Sequence, residues 1–207
     1  MHLPDGLAPV GLAAAGYAGG AALLGLSLAR IARLPDPGAA MPRAAMLTAV
    51  FFAASAIAVP APPTTVHPML AGLMGVMLGW FAVPAIFVGL FLQAVLFGHG
   101  GLTTLGLNGL ILAPPALVAW ATWRALGRRA PTLAAGVAGA GGVVLALAIF
   151  AGFVLIGLPA AVDAAAERAA LGVFVLAHLP LVVGEGVLVA VVLRVLERVE
   201  PGLLPGA

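Results

Sequence analysis

The chain contains no cysteine and no lysine. Without cysteine, disulfides, thiolate metal sites and cysteine catalysis are excluded, so any soft-metal binding must use histidine, methionine or backbone groups. Without lysine, a Gly-x-x-x-x-Gly-Lys-(Ser/Thr) phosphate loop is impossible, and the chain cannot hydrolyse ATP by that route. Charge of either sign is scarce: 8% of the 207 residues are charged, against about a quarter in a soluble domain. Too little polar surface is present to coat a water-facing globule. Histidine occurs only four times, at His2, His67, His99 and His178, with no His-Glu-x-x-His motif and no paired acids, which argues against an intramembrane metalloenzyme. What is abundant is apolar: 63% of residues are hydrophobic and mean hydropathy is +1.21. The basic pI near 10.5 comes from nine arginines against seven acids. Arginine in short loops of a membrane protein sets orientation, and no aromatic-and-basic stripe supports nucleic-acid binding.

Apolar stretches fall at about 7–33, 43–60, 66–79, 80–97, 104–126, 131–157 and 170–196, punctuated by Pro35 and Pro37, Pro60 to Pro63, Gly98 to Gly101, and Pro159. Segment 66–97 carries no charge and reads as one long helix or two short ones, with Gly79 and Pro84 allowing a break. Charge parity decides. With the segment split, Arg30, Arg33, Arg43, Arg124, Arg128, Arg129, Arg194 and Arg198 all fall on one side and Arg168 on the other, as the positive-inside rule requires. The expected architecture is an all-α polytopic membrane bundle, a single domain over 1–207 of about seven transmembrane helices, amino terminus outside. The third span would cover only about 20 Å, starting below the outer surface beside a cavity and bringing His67 level with Met1. A cleaved signal peptide is disfavoured, because the first charge, Asp5, is acidic and the apolar stretch runs long before Arg30.

Met1-His2 offers specific chemistry. A free α-amine, the backbone nitrogen of residue two and its imidazole close two fused chelate rings. Three nitrogens then occupy adjacent positions of a plane, leaving the fourth for an outside ligand. Four planar nitrogens suit Ni(II) or Cu(II). Binding must displace a proton from the amine, whose pKa is near 8, and from the amide. The bland alternative is an ordinary interfacial His2. Glu185 is the only acid inside an expected span, where a charge is functional by default. His178 lies two turns earlier on the same helical face. Three roles stand open for this pair: supporting the metal site, carrying protons, or packing helix seven against Asn108 or Gln93. His99, in a Gly-rich outer loop, is either a first contact for incoming metal or, more simply, a solvated side chain. Thr103 and Thr104 suit a helix start, and Met69, Met74 and Met77 fit packing.

Four blocks then bear a resemblance. Met1-His2-Leu3-Pro4-Asp5-Gly6, Pro60-x-Pro62-x-Thr64-Thr65-Val66-His67, the stretch Leu92 to Asn108 (LQAVLFGHGGLTTLGLN), and His178 with Gly184-Glu185-Gly186 occur in order from residue 1 to about 190. Together they resemble the CbiM/NikM family, the nickel/cobalt substrate-capture (S) components of energy-coupling-factor (ECF) importers. The resemblance implies a multi-pass protein of a bacterial or archaeal cell membrane that carries Ni²⁺ or Co²⁺ as transported ligand and needs no cofactor. It implies a metal site of the Met1 amine, the backbone and imidazole nitrogens of His2, and His67, with Asp5 and Gly6 shaping the turn of a segment that plugs the bundle. It further implies a membrane coupling subunit (the T component), two ATP-hydrolysing subunits (the A components) and commonly a small accessory membrane subunit as partners. The chain departs from the family pattern at Pro68 after His67, at Asn108-Gly109-Leu110-Ile111, which keeps one asparagine of two, and at His99, where many relatives have Asp or Phe. The competing function, from the residues alone, is a self-sufficient proton-coupled carrier using Glu185 and His178.

Overall fold

The computed structural model describes residues 2–57, 59–61, 64–157 and 164–204. Met1, Pro62, Pro63 and Pro159 lie outside them. The described residues form seven α-helices: α1 (Val10–Ile31), α2 (Met41–Ala54), α3 (Ala71–Leu78), α4 (Ala82–Phe97), α5 (Leu105–Leu126), α6 (Pro131–Gly157) and α7 (Ala164–Val199). By length and hydropathy, five stretches of the described residues can cross a membrane: 10–31, 71–97 taken whole, 105–126, 131–157 and 168–199. The protein is a multi-pass membrane bundle. Its helices lack a polar face, in keeping with lipid as the solvent, and large apolar side chains such as Val10, Ile156, Val183 and Val199 point outward.

The expected boundaries fail between 43 and 79. Helix α2 ends at Ala54 rather than near 60, and residues 59–61 (β1) and 64–66 (β2) pair as a two-stranded antiparallel hairpin, Val59 opposite Val66. Pro60 within this segment has no N–H for a helix. The third helix starts at Ala71, not 66, and its eight residues span only about 12 Å.

Contacts along α5 fix the direction of the neighbouring helices. Gly109, near the start of α5, lies against the ring of Phe87 in α4. Further along α5, the Ala116 carbonyl fills the space beside Gly75 of α3, and the Trp120 indole lies 3.2 Å from where a Cβ on Gly79 would stand. Helix α3 therefore descends with α5 and α4 returns beside it. Between them a 3-10 turn over Gly79–Phe81 reverses the chain, with Gly79 at φ +54°, a conformation glycine adopts without steric cost.

Bare backbones let the helices close together. A Cβ at Gly106 of α5 would sit 2.5 Å from Gly16 of α1, and one at Gly72 of α3 would sit 2.6 Å from Gly139 of α6. Small residues at such crossings supply the dispersion contact that replaces the hydrophobic effect in lipid.

The two ends of the bundle differ in chemistry. At one end, Arg30 lies 5.5 Å over the Trp80 ring and Arg124 lies 5.1 Å over Trp120. Arg194 donates to Thr132 at 2.7 Å and Arg43 to the Leu203 carbonyl at 2.9 Å. The opposite end carries the amino-terminal segment, the loop before α3 and the loop between α4 and α5, hence three of the four histidines.

Candidate metal centre

At the histidine end the segment from His2 to Asp5 is inserted against the start of α5. Asn108 holds Leu3 through both backbone groups: its Oδ1 accepts from Leu3 N at 2.8 Å and its Nδ2 donates to Leu3 O at 3.1 Å. Thr104 Oγ1 donates to the same carbonyl at 2.6 Å. Leu3 itself is 2% exposed, so these bonds replace water that the segment gives up on docking. Asp5 forms the second clamp, its carboxylate accepting from Thr103 N at 2.8 Å, Thr103 Oγ1 at 2.5 Å and Leu102 N at 3.2 Å. The Thr103 hydroxyl, followed by the backbone amides, holds the Asp5 carboxyl below its ordinary pKa. Thr103 and Thr104 thus do not cap α5 as their position suggested. Thr104, the residue before α5, makes no side-chain capping bond; both hydroxyls fasten the amino-terminal segment instead.

The clamps bring His2 against two other imidazoles. His2 and His67 lie with ring centroids 5.0 Å apart and planes 18° from parallel. His99 stands 4.9 Å from each, at 87° to His2 and 82° to His67. One ring nitrogen from each of the three can be chosen so that all lie within 4.8 Å of one another. His99 Nε2 and His67 Nε2 are 3.3 Å apart. His2 is half-buried as a residue, yet both its ring nitrogens are sealed from solvent with no hydrogen-bond partner among the described residues. Burial, followed by the charges of nearby groups, holds the imidazoles of His2, His67 and His99 below their ordinary pKa. They are therefore neutral, with lone pairs available, at neutral pH. Three neutral imidazoles within ligand range are chemically a site for a borderline transition-metal ion.

His67 is positioned from below. Glu185, in α7, accepts from Met69 N at 2.6 Å and Leu70 N at 3.0 Å. Leu70 has φ +51°, unusual for a non-glycine residue, and the carboxylate holds it there at the start of α3. Of the three roles open to Glu185 and His178, tying helix seven to Asn108 or Gln93 is not what the described residues show. Glu185 Oε1 holds the backbone ahead of α3, Asn108 is engaged with Leu3 and Thr104, and His178 packs on Phe174 at 4.1 Å with Nδ1 2.8 Å from the Phe174 carbonyl oxygen. The reading of His99 as a solvated side chain is corrected by its place in the triad. Its loop is shaped by Gly98 at φ +61° and by Gly100 at φ +79°, beside which His2 packs.

A helical membrane bundle with three convergent imidazoles at one end defines a class, the polytopic proteins that handle transition-metal ions. Residues 2–203 match the model of the family described as the cobalt uptake substrate-specific transmembrane region, and the chain belongs to this CbiM family. It is 38% identical over 132 residues to the fused nickel transport protein NikMN of Rhodobacter capsulatus, covering 62% of this chain and 38% of that protein. It is 30% identical over 216 residues to the cobalt transport protein CbiM of Geobacter sulfurreducens, covering 99% of this chain and 61% of that protein. The chain therefore spans 38% of the one relative's length and 61% of the other's. Among solved structures, a transition metal transporter superposes with TM-score 0.85 at 25% identity, over 97% of this chain and 94% of that one.

Proposed function

We propose that the chain is the substrate-binding membrane subunit of an ATP-driven Ni²⁺ or Co²⁺ importer, taking the ion through the Met1 amine, the backbone and imidazole nitrogens of His2, and His67. The observation that carries this reading is the insertion of the amino-terminal segment, clamped by Asn108, Thr104 and Asp5's partners, which sets His2 5.0 Å from a His67 that is 65 residues away in sequence. With Met1 as first residue, its amine adjoins the His2 nitrogens, and the fused chelate needs one more equatorial ligand, which His67 supplies. Gathering of arginines at the opposite end supports, through the positive-inside rule, an outward-facing histidine end, where a capture site for import belongs.

Energy comes from partners in this reading: a membrane coupling subunit, ATP-hydrolysing subunits and commonly a small accessory subunit, as the family resemblance implies. The chain has no lysine for a phosphate loop, and the kinship to nickel and cobalt transport proteins supports transport over catalysis. A proton-coupled carrier built on Glu185 and His178 has less support, because one Glu185 oxygen is committed to two backbone amides. Radiolabelled Ni²⁺ and Co²⁺ uptake tests the reading, in cells holding this chain alone or together with the ATPase and coupling subunits of an energy-coupling-factor importer. Uptake that needs the partners and stops on ATP depletion is expected. Uptake by the chain alone that survives ATP depletion and stops on collapse of the proton gradient would instead establish the carrier.

A further inference from the structure

The planar four-nitrogen site has no role for His99, yet His99 is as close to His2 and to His67 as those two are to each other. The three ring centroids form a nearly equilateral triangle with sides of 5.0, 4.9 and 4.9 Å. Rings so placed can each turn one nitrogen toward a common point, the three nitrogens lying within 4.8 Å of one another, so the three can share one triangular face of a coordination polyhedron. In a square plane, by contrast, two of any three ligands lie trans, about 4.1 Å apart for bonds of about 2.05 Å. The 3.3 Å between His99 Nε2 and His67 Nε2 subtends about 107° at an ion bound to both at that bond length, from twice the arcsine of 3.3/4.1. Such an angle lies between an axial ligand and a basal one when the ion is lifted slightly out of the basal plane. His2 and His67, with rings 18° from parallel, are the cis basal pair. His99 is nearly perpendicular to both rings, an orientation that suits a ligand above that plane.

We propose that His99 is a fifth ligand, set above the plane of the four nitrogens of Met1, His2 and His67, and that this chain holds its ion in a square-pyramidal site that accepts Co²⁺ as well as Ni²⁺. The inference rests on the reading given under Proposed function and adds to it the coordination number and the metal class. Two further observations support it. Both ring nitrogens of His2 are sealed from solvent without a hydrogen-bond partner among the described residues, so the triad contains ligand capacity that those residues do not satisfy. The loop bearing His99 is also fixed in place: its backbone N–H donates to the Gln93 carbonyl at 3.1 Å, closing the end of α4, and Gly100 lets it pass close to His2. Without metal, the 3.3 Å nitrogen pair is an N–H···N hydrogen bond between neutral tautomers. Ligation needs only that the proton sit on Nδ1 of each ring, so an ion replaces the bond without requiring a charged imidazole.

An axial nitrogen has a definite electronic consequence. Four planar nitrogens favour diamagnetic, low-spin Ni(II) with open axial positions. A fifth nitrogen destabilises that state, favours paramagnetic Ni(II), and supplies the higher coordination that Co(II) takes. The test titrates the purified full chain in detergent with Ni²⁺ and, anaerobically, with Co²⁺, comparing wild type with His99→Ala, His99→Gln and His67→Ala. Affinity, magnetic moment and the visible d–d spectrum are read. The wild type is expected to bind Ni²⁺ as a paramagnetic complex without the planar-nickel band. Both His99 variants should yield the diamagnetic planar complex and lose at least about tenfold in Co²⁺ affinity, with Ni²⁺ affinity changing less. A wild-type Ni²⁺ complex that is already diamagnetic and planar, unchanged in both variants, overturns the fifth ligand and leaves the four-nitrogen site standing. Full metal affinity in His67→Ala overturns the underlying site, and the fifth ligand falls with it. Helicity and elution volume confirm that each variant is folded, and the glutamine variant keeps the loop's bulk if alanine loosens it.

Discussion

Replacing Asn108 with alanine removes two of the three hydrogen bonds that hold the Leu3 backbone, and the effect on metal binding can be worked from the structure. Leu3 O keeps one partner, Thr104 Oγ1 at 2.6 Å, whereas Leu3 N loses its bond to Asn108 Oδ1 at a residue only 2% exposed. A buried donor left unpaired costs about 1–3 kcal/mol. The amino-terminal segment can avoid that penalty by undocking, so the penalty falls on the docked, binding-competent state rather than on the bundle. Apparent affinity falls in proportion to the competent fraction, and 1–3 kcal/mol corresponds to roughly 5- to 150-fold. Calorimetric titration of Ni²⁺ into wild type and Asn108→Ala measures this, with thermal unfolding of the apo-protein as the control. Thr104→Val should cost less, since Leu3 O retains Asn108 Nδ2 at 3.1 Å. Wild-type affinity in Asn108→Ala would refute the idea that docking of this segment assembles the site.

Glu185→Leu leaves the buried amides of Met69 and Leu70 unpaired and should lower stability by about 2–6 kcal/mol, at about 1–3 for each group, and weaken metal binding through His67. Glu185→Gln keeps an acceptor oxygen and should be mild; equal effects of the two in detergent melting curves would show that the charge, not the hydrogen bonding, matters. Gly75→Leu drives a side chain into the Ala116 carbonyl and should destabilise the α3–α5 contact by about 1–3 kcal/mol or more, read as a lowered melting temperature. Ni²⁺ binding at pH 7 should release about two protons, from the amine and the amide, and few from the imidazoles, which burial already keeps neutral. Calorimetry in buffers of different ionisation heat counts them. Because these three imidazoles are held below their ordinary pKa in the fold, the unfolded chain takes up protons first. Apo-protein stability should therefore be full above about pH 6.5 and fall as pH drops through it.

The amino-acid pattern made the membrane bundle legible because composition and long apolar stretches report directly on lipid as solvent. Arginine placement made the two ends distinguishable, and the arginines named in the structure do gather at one end. What stayed hidden depended on contacts remote in sequence. The β-hairpin between α2 and α3 interrupts a stretch whose apolar residues read equally well as helix, since a short apolar run has no distinguishing period. The role of Glu185 was illegible, because its partners are backbone amides more than a hundred positions away, and an amide leaves no mark on the sequence. Thr103 and Thr104 looked like helix-start residues and turned out to fasten the amino-terminal segment, a tertiary demand that overrode a local preference. The same limit applies to His99, which the sequence leaves open between a first contact for incoming metal and a solvated side chain. A histidine among glycines reads as solvated until the loop is seen to fold back on His2, and Gly100, which allows that approach, was the one available signal.

A metal site that includes the Met1 amine is tested by adding a single glycine before Met1. The extension moves the α-amine out of the fused chelate while leaving Asn108, Thr104, Asp5 and every helix untouched. Ni²⁺ titrated into the extended protein is expected to bind at least about 100-fold more weakly, equivalent to about 2.7 kcal/mol or more, with an unaltered apo melting temperature. Wild-type affinity in the extended protein would contradict the account and move the ion to the imidazoles of His2, His67 and His99 alone.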